Sequence, residues 1–259
     1  MRPHLHRLHV ESSGTPPSRG AVTKSGGAWS QLWWRPSLPA THFWAHCTGM
    51  LCSVFVMVWV LRFRGGLPFI AHIPSLADRT DLIFNAHPVL MVVGYIFLST
   101  EAILVHRGMH GTKSNKKAIH FTIQGVAFWM AALGIWTALL FHKTIGISNF
   151  YSLHSWFGIL TVFLFGIQWI CSYMIYWYPG ASAKTRAAVL PWHTSIGLLV
   201  HCTALLTAEM GLLEKLTFLM VNKVIGRFSF EAVFVNSVGL LLLVHGGLVI
   251  LACVLPRSS

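Results

Sequence analysis

The stretch FNAHPVLMVVGYIFLSTEAILV, residues 84–105, is apolar over nearly its whole length and carries a histidine, His87, at its fourth position. About 20 such residues cross a bilayer's hydrocarbon, where an imidazole is costly unless it has a partner. Three later apolar stretches begin the same way: His120 opens 119–141, His154 opens 152–176 and His193 opens 192–208. The intervals of 33, 34 and 39 residues each hold one span and a loop. Successive spans run in opposite directions, so their starts alternate between the two bilayer faces. His87 and His154 therefore share one level, and His120 and His193 the other. Two facing pairs suit two stacked haems, each iron held from both sides, about 20 Å apart across a core of roughly 30 Å.

Two further apolar stretches, 43–61 and 233–255, bring the count to six, which uses nearly all the chain after residue 40. The expected fold is an all-α membrane protein, a six-transmembrane-helix bundle over 41–259 with a haem core at 82–208. Of the 259 residues, 54% are hydrophobic and 10% charged, against about 25% charged in soluble domains. Residues 1–40, rich in Ser, Gly, Pro and Arg, read as a disordered tail without a signal-peptide core. Its His4, His6 and His9 read as incidental rather than as a metal site.

The net charge of +12 could suggest nucleic acid, but no soluble basic face exists to hold it; the bases sit in loops and tail, as beside anionic lipid. With both termini cytoplasmic, 12 bases face inward and 7 outward, in the sense of the positive-inside rule. Five of the inward ones belong to the tail, and without them the two sides are equal. Lys113, Lys116 and Lys117 precede His120, and Lys184 and Arg186 precede His193, with no acid in either loop. They suit either lipid headgroups or an anionic electron donor beside the cofactor edge.

All five cysteines fall inside spans and read as small buried hydrophobes. No CxxCH occurs, so the haems are expected to be non-covalently held. Paired axial imidazoles leave iron no open position, which favours electron transfer over oxygen binding. His42, His46, His201 and His245 read as interfacial or core polar residues, and Glu101 as a partner for Arg107 or a nearby base. Glycines 94, 125, 134, 158, 166 and 197 suit helix packing or clearance for a haem face.

The strings DLIFNAHPVLMVVG (81–94), TEAILVHR (100–107) and GTKSNKKAIH (111–120), then NFYSLHSWFGI (149–159), YWYPG, LPWHTSIG (190–197), GLLEKLTF (211–218) and EAVFVNSVGLLLL (231–243), resemble the cytochrome b561 family, especially its plant ascorbate-reducible members. The resemblance runs from RFRGGL (62–67) to the C-terminus; His106 stands where the family usually has tyrosine, and Arg62 where it has histidine. It implies a homodimer of six-helix bundles with two haem b groups, His87 with His154 on the non-cytoplasmic side and His120 with His193 on the cytoplasmic side. It further implies ascorbate contacts at Lys113, Lys117, Arg186 and Tyr176, and a far-side pocket of Phe141, His142, Asn149 and Tyr151. The implied activity is electron transfer from cytosolic ascorbate to monodehydroascorbate or a ferric chelate, in a vacuolar or plasma membrane.

Three other functions compete, one of them a purely structural or scaffolding membrane protein, which would retain no haem and show no electron transfer in vesicles. A proton-coupled transporter would use the histidines and Glu101 as a relay, yet the four span-opening histidines cluster at two levels rather than along one path. A flavin-linked ferric reductase would carry second histidines 13–14 residues on, where this chain has Thr100 and Glu101, and Ile167 and Gln168.

Overall fold

The structure, a computed structural model, describes residues 37–67 and 80–256. The expectations for the tail up to residue 36, for 68–79 and for 257–259 lie outside the described residues. Among the described residues six helices are long and apolar enough to cross a membrane: α1 Leu38–Phe63, α2 Thr80–Gly108, α3 Lys113–Ile145, α4 Leu153–Tyr176, α5 Ala183–Val221 and α6 Phe230–Val254. No strand occurs among the described residues. The chain is thus an all-α, multi-pass integral membrane protein, as its hydropathy pattern predicts.

Hydroxyl side chains set five of the six starts. Ser37, Thr112, Ser152, Ser182 and Ser229 each accept a hydrogen bond from the backbone N–H three residues on, which satisfies a donor the helix itself leaves unpaired. The Ser37 cap, with Pro39 in the first turn, starts α1 at Leu38, inside the stretch read as tail, because proline there needs no N–H partner. At the other end of α3, Gly146 takes φ 72°, the left-handed stop that lacks a side-chain penalty only for glycine.

Two elements depart from the expected bounds. Helix α5 has 39 residues, about 58 Å at 1.5 Å per residue, whereas the apolar reading covered only 192–208. Glu209, Glu214 and Lys215 are therefore turns of α5 and not loop residues, since good helix formers let a helix continue beyond the hydrocarbon. Likewise Lys113, Lys116 and Lys117 form the first turns of α3. Within α2, Pro88 lies just before a π-helical stretch, Leu90–Phe97. Proline cannot donate to the carbonyl one turn back and its ring crowds that turn, which favours a wider local pitch just after His87.

Side-chain ties give the directions. Lys117 Nζ, early in α3, donates to the Tyr176 carbonyl ending α4 at 3.0 Å. His46, early in α1, meets Glu101, late in α2, at 2.8 Å. Arg107, ending α2, donates to the carbonyls of Ala252, Cys253 and Leu255 at the end of α6, where a cation suits the negative helix terminus. The starts of α1, α3 and α5 thus share one end with the ends of α2, α4 and α6, hereafter the basic end. At the far end Glu231 of α6 accepts from Trp59 Nε1 of α1 at 2.8 Å and from Arg64 at 2.6 Å. Between them Val56, Tyr95, Ala127, Phe165, Ala204 and Leu242 form a buried core, while Trp129, Leu133, Trp136, Leu160 and Phe163 are exposed on the outside of the bundle.

Candidate functional site

The four span-opening histidines meet in two pairs. The rings of His87 (α2) and His154 (α4) lie 6.1 Å apart, and those of His120 (α3) and His193 (α5) 6.2 Å apart. Each Nδ1 is tied to the chain: His87 to the Gly134 carbonyl at 2.9 Å, His120 to Ala102 at 2.7 Å and His154 to Thr207 at 2.9 Å. His193 Nδ1 lies 3.0 Å from Ser172 Oγ. A carbonyl only accepts, so in the first three rings Nδ1 carries the proton and Nε2 keeps its lone pair. That is the tautomer a metal-binding imidazole needs, with its ring orientation set by the second partner.

These spacings fit a bis-imidazole metal. Two bonds of about 2.0 Å and a ring radius of about 1.1 Å on each side place the ring centres about 6.2 Å apart. Among the described residues no group of three His, Cys, Asp or Glu could hold an ion, whereas two facing imidazoles are the pair of side chains that a haem iron can take from a protein. A cavity of about 790 Å³ lies at the first pair, lined by His87, His154, Met91, Ile135, Gly158 and Thr207 among others, within the roughly 300–1,000 Å³ usual for cofactor sites. The Cβ that an alanine would bring to position 211 would stand 2.7 Å from His154 Cε1, so the ring lies where only glycine leaves room. Of the six glycines considered for clearance, Gly158 lines this cavity, whereas the others face side chains of neighbouring helices, as Gly125 faces Trp169.

At the basic end, Tyr176 packs edge-on against His193 at 5.6 Å, and its hydroxyl reaches the Arg186 carbonyl at 3.4 Å. Lys117 holds the Tyr176 carbonyl and lies 4.9 Å over the Trp177 ring. Lys113 is exposed one turn earlier on α3, and Arg186 is exposed at the start of α5. Tyr176 thus links His193 to Lys117 and to the Arg186 backbone, while the Arg186 guanidinium donates to the Ala181 carbonyl at 2.7 Å; Lys113 lies on the same helix face as Lys117. His106, where tyrosine was expected, packs against His120 at 5.0 Å.

At the far end, Phe141, His142, Asn149 and Tyr151 all line the cavity of the His87 pair. His142 Nδ1 meets Asn149 Oδ1 at 3.1 Å, and its ring stacks on Tyr151 at 6.2 Å. Burial and then the negative Glu214 raise the Tyr151 phenol above its ordinary pKa, so it stays a hydrogen-bond donor. Sequence reasoning missed Phe84, Asp81, Glu214 and Lys215, which line the same cavity. The available signal was the helical spacing of 207, 211 and 215, obscured once 209–215 were read as loop.

His245 and His201 serve the helix core. His245 bridges Thr48 and Thr100 at 3.1 Å each, and His201 bridges Ser99 and Thr100 at 3.1 and 3.3 Å. Every imidazole nitrogen of these two already faces a hydroxyl, which meets the demand of a polar group at hydrocarbon depth. Glu101 pairs with His46 instead of Arg107, because the α6 carbonyls take the guanidinium.

The chain is similar to known proteins over most of its length. The family model described as eukaryotic cytochrome b561 matches residues 86–219. Transmembrane ascorbate ferrireductase 2 of Arabidopsis thaliana is 47% identical over 211 residues, covering 82% of this chain and 89% of the relative. Probable ascorbate-specific transmembrane electron transporter 2 of Oryza sativa subsp. japonica is 44% identical, covering 82% and 87%. Ascorbate-specific transmembrane electron transporter 2 of Zea mays is 41% identical, with the same two shares.

Proposed function

The chain belongs to the eukaryotic cytochrome b561 family, whose cofactor is b-type haem, and from that premise we propose that it carries electrons across the membrane from ascorbate. The donor side is the basic end, facing the cytoplasm. The acceptor on the far side is monodehydroascorbate or a ferric chelate, so the protein acts as an ascorbate-dependent ferrireductase and monodehydroascorbate reductase. Two haem b groups are held non-covalently, one by His87 and His154 and one by His120 and His193. The carrying observation is the pair of ring separations, 6.1 and 6.2 Å, with Nδ1 of every ring engaged by the chain. The names of the relatives support the donor, and the positive-inside count supports the orientation. A homodimer in the vacuolar or plasma membrane, with a haem core over 82–208, completes the reading.

When bound between His87 and His154 and between His120 and His193, haem would supply a one-electron carrier. The residues of the chain do the rest. Lys113, Lys117 and Arg186 attract the ascorbate monoanion to the His193 end, and Tyr176 lies between that rim and His193. At the far end, His142, Asn149 and Tyr151 offer hydrogen-bonding groups to an oxygen-rich acceptor, beside Phe141. The apolar helix core keeps water from the path between the ends.

Replacement of single histidines tests this. His87→Ala or His154→Ala should remove one haem and leave the other, and His120→Ala or His193→Ala should remove the second, as read from reduced-minus-oxidised spectra and haem per protein. Purified protein without a b-type spectrum, or one haem shared by His87 and His120, would sink the reading.

A further inference from the structure

Lys215 lies on α5 one turn beyond Gly211, the residue that makes room for the His154 ring, and it lines the cavity beside His87 and His154. Its Nζ stands 4.2 Å from the centre of the Phe84 ring. Phe84 in turn packs on His87 at 5.9 Å and on Phe141 at 4.9 Å, so one aromatic ring separates the ammonium from a proposed iron ligand.

The charges that act on Lys215 are Asp81 of α2, Arg64 at the end of α1 and Glu231 of α6. Arg64 and Glu231 neutralise each other at 2.6 Å, and neighbouring Glu214 accepts from Ser152 at 3.1 Å. Among the described residues no carboxylate lies within the 4.0 Å of an ion pair to Lys215 Nζ. An aromatic face replaces only part of the hydration that a half-buried ammonium loses. Asp81 lines the same cavity but stays beyond ion-pair distance and offsets the charge only in part, so the ammonium leaves a place for an anion seated against it.

Building on the haem reading, we infer that Lys215 binds a carboxylate in the far-side cavity. Two carboxylates meet this chemistry: a propionate of the haem held by His87 and His154, and a carboxylate ligand of a ferric chelate approaching as acceptor.

Full-length Lys215→Met and Lys215→Arg, purified with both haems, separate the two. If the partner is the propionate, Lys215→Met lowers the midpoint of one haem component in an optical redox titration, because a nearby positive charge favours the reduced form. Reoxidation by ferric-EDTA and by hexaammineruthenium(III) then changes alike. If the partner is the acceptor, both midpoints hold. Reoxidation by anionic ferric-EDTA then slows about tenfold at low salt, an effect that screening removes, while the cationic hexaammineruthenium(III) is not slowed. Lys215→Arg should behave as wild type in both arms. Loss of one haem from Lys215→Met but not from Lys215→Arg also reads as the propionate contact. Unchanged midpoints with unchanged ferric-EDTA kinetics in Lys215→Met, or loss of that haem from both variants, would overturn the inference. Failure of the underlying haem reading would show separately, as a His87→Ala variant that keeps both haems.

Discussion

Gly211→Ala isolates the geometry of the far-side site from the stability of its helix. Alanine is the better helix former by about 1 kcal/mol, so α5 itself should gain. The added Cβ, however, would stand 2.7 Å from His154 Cε1, 3.1 Å from Nδ1 and 3.3 Å from Nε2. Carbon contacts settle at about 3.5–4.0 Å, so the ring must retreat by about 1 Å. Its Nδ1 is held to the Thr207 carbonyl at 2.9 Å, one turn away on the same helix, and retreat strains that bond too. Metal–ligand distances tolerate only about 0.2 Å, so the bond to iron should not survive. We expect haem per protein to fall from two toward one, with the remaining spectrum that of the His120 and His193 site. Haem extraction and reduced-minus-oxidised spectra on protein purified in mild detergent measure this. Gly247→Ala, where a Cβ would meet nothing within 4 Å, is the control and should keep both haems. A Gly211→Ala protein with two haems and an unchanged spectrum would refute the contact as a determinant of ligation.

Lys117→Ala or Arg186→Ala, and to a lesser extent Lys113→Ala, should slow reduction by ascorbate at low salt and limiting ascorbate while leaving dithionite reduction and haem content intact; equal ascorbate rates would return these bases to lipid anchoring. Glu231→Ala strips its partner from the half-buried Arg64 and removes the acceptor of the buried Trp59 Nε1, so it should cost about 2–3 kcal/mol, read as a lower unfolding temperature in detergent. The raised pKa of Tyr151 means that the folded state holds its proton more tightly. Its contribution to stability is therefore full below the ordinary tyrosine pKa of about 10 and is lost only as pH rises beyond it. Far-side reoxidation rates of wild type and Tyr151→Phe should accordingly share one pH profile between about pH 6 and 9; a profile that bends only in wild type would contradict this.

Six spans, their alternation and the pairing of His87 with His154 and His120 with His193 follow from the chain alone. Hydrocarbon length sets the count of apolar residues, and short loops force antiparallel neighbours, so the depth of each histidine is a matter of counting. The far-side grouping of Phe141, His142, Asn149 and Tyr151 came only from the family resemblance, and the structure seats all four on the cavity of the His87 pair. What only the tertiary structure decided is what meets across helices. The acceptors on Nδ1 are backbone carbonyls of Gly134, Ala102 and Thr207, and every residue type carries a carbonyl, so no letter marks them. Glu101 chose His46 over Arg107 because the unpaired carbonyls ending α6 lay closer to the guanidinium. Lys215 came to the cavity because α5 continues past the hydrocarbon, where hydropathy no longer distinguishes helix from loop. Periodicity along one chain fixes depth and face, but the rotation of each helix about its own axis is settled by packing against its neighbours, and that rotation determines which side chains share a site.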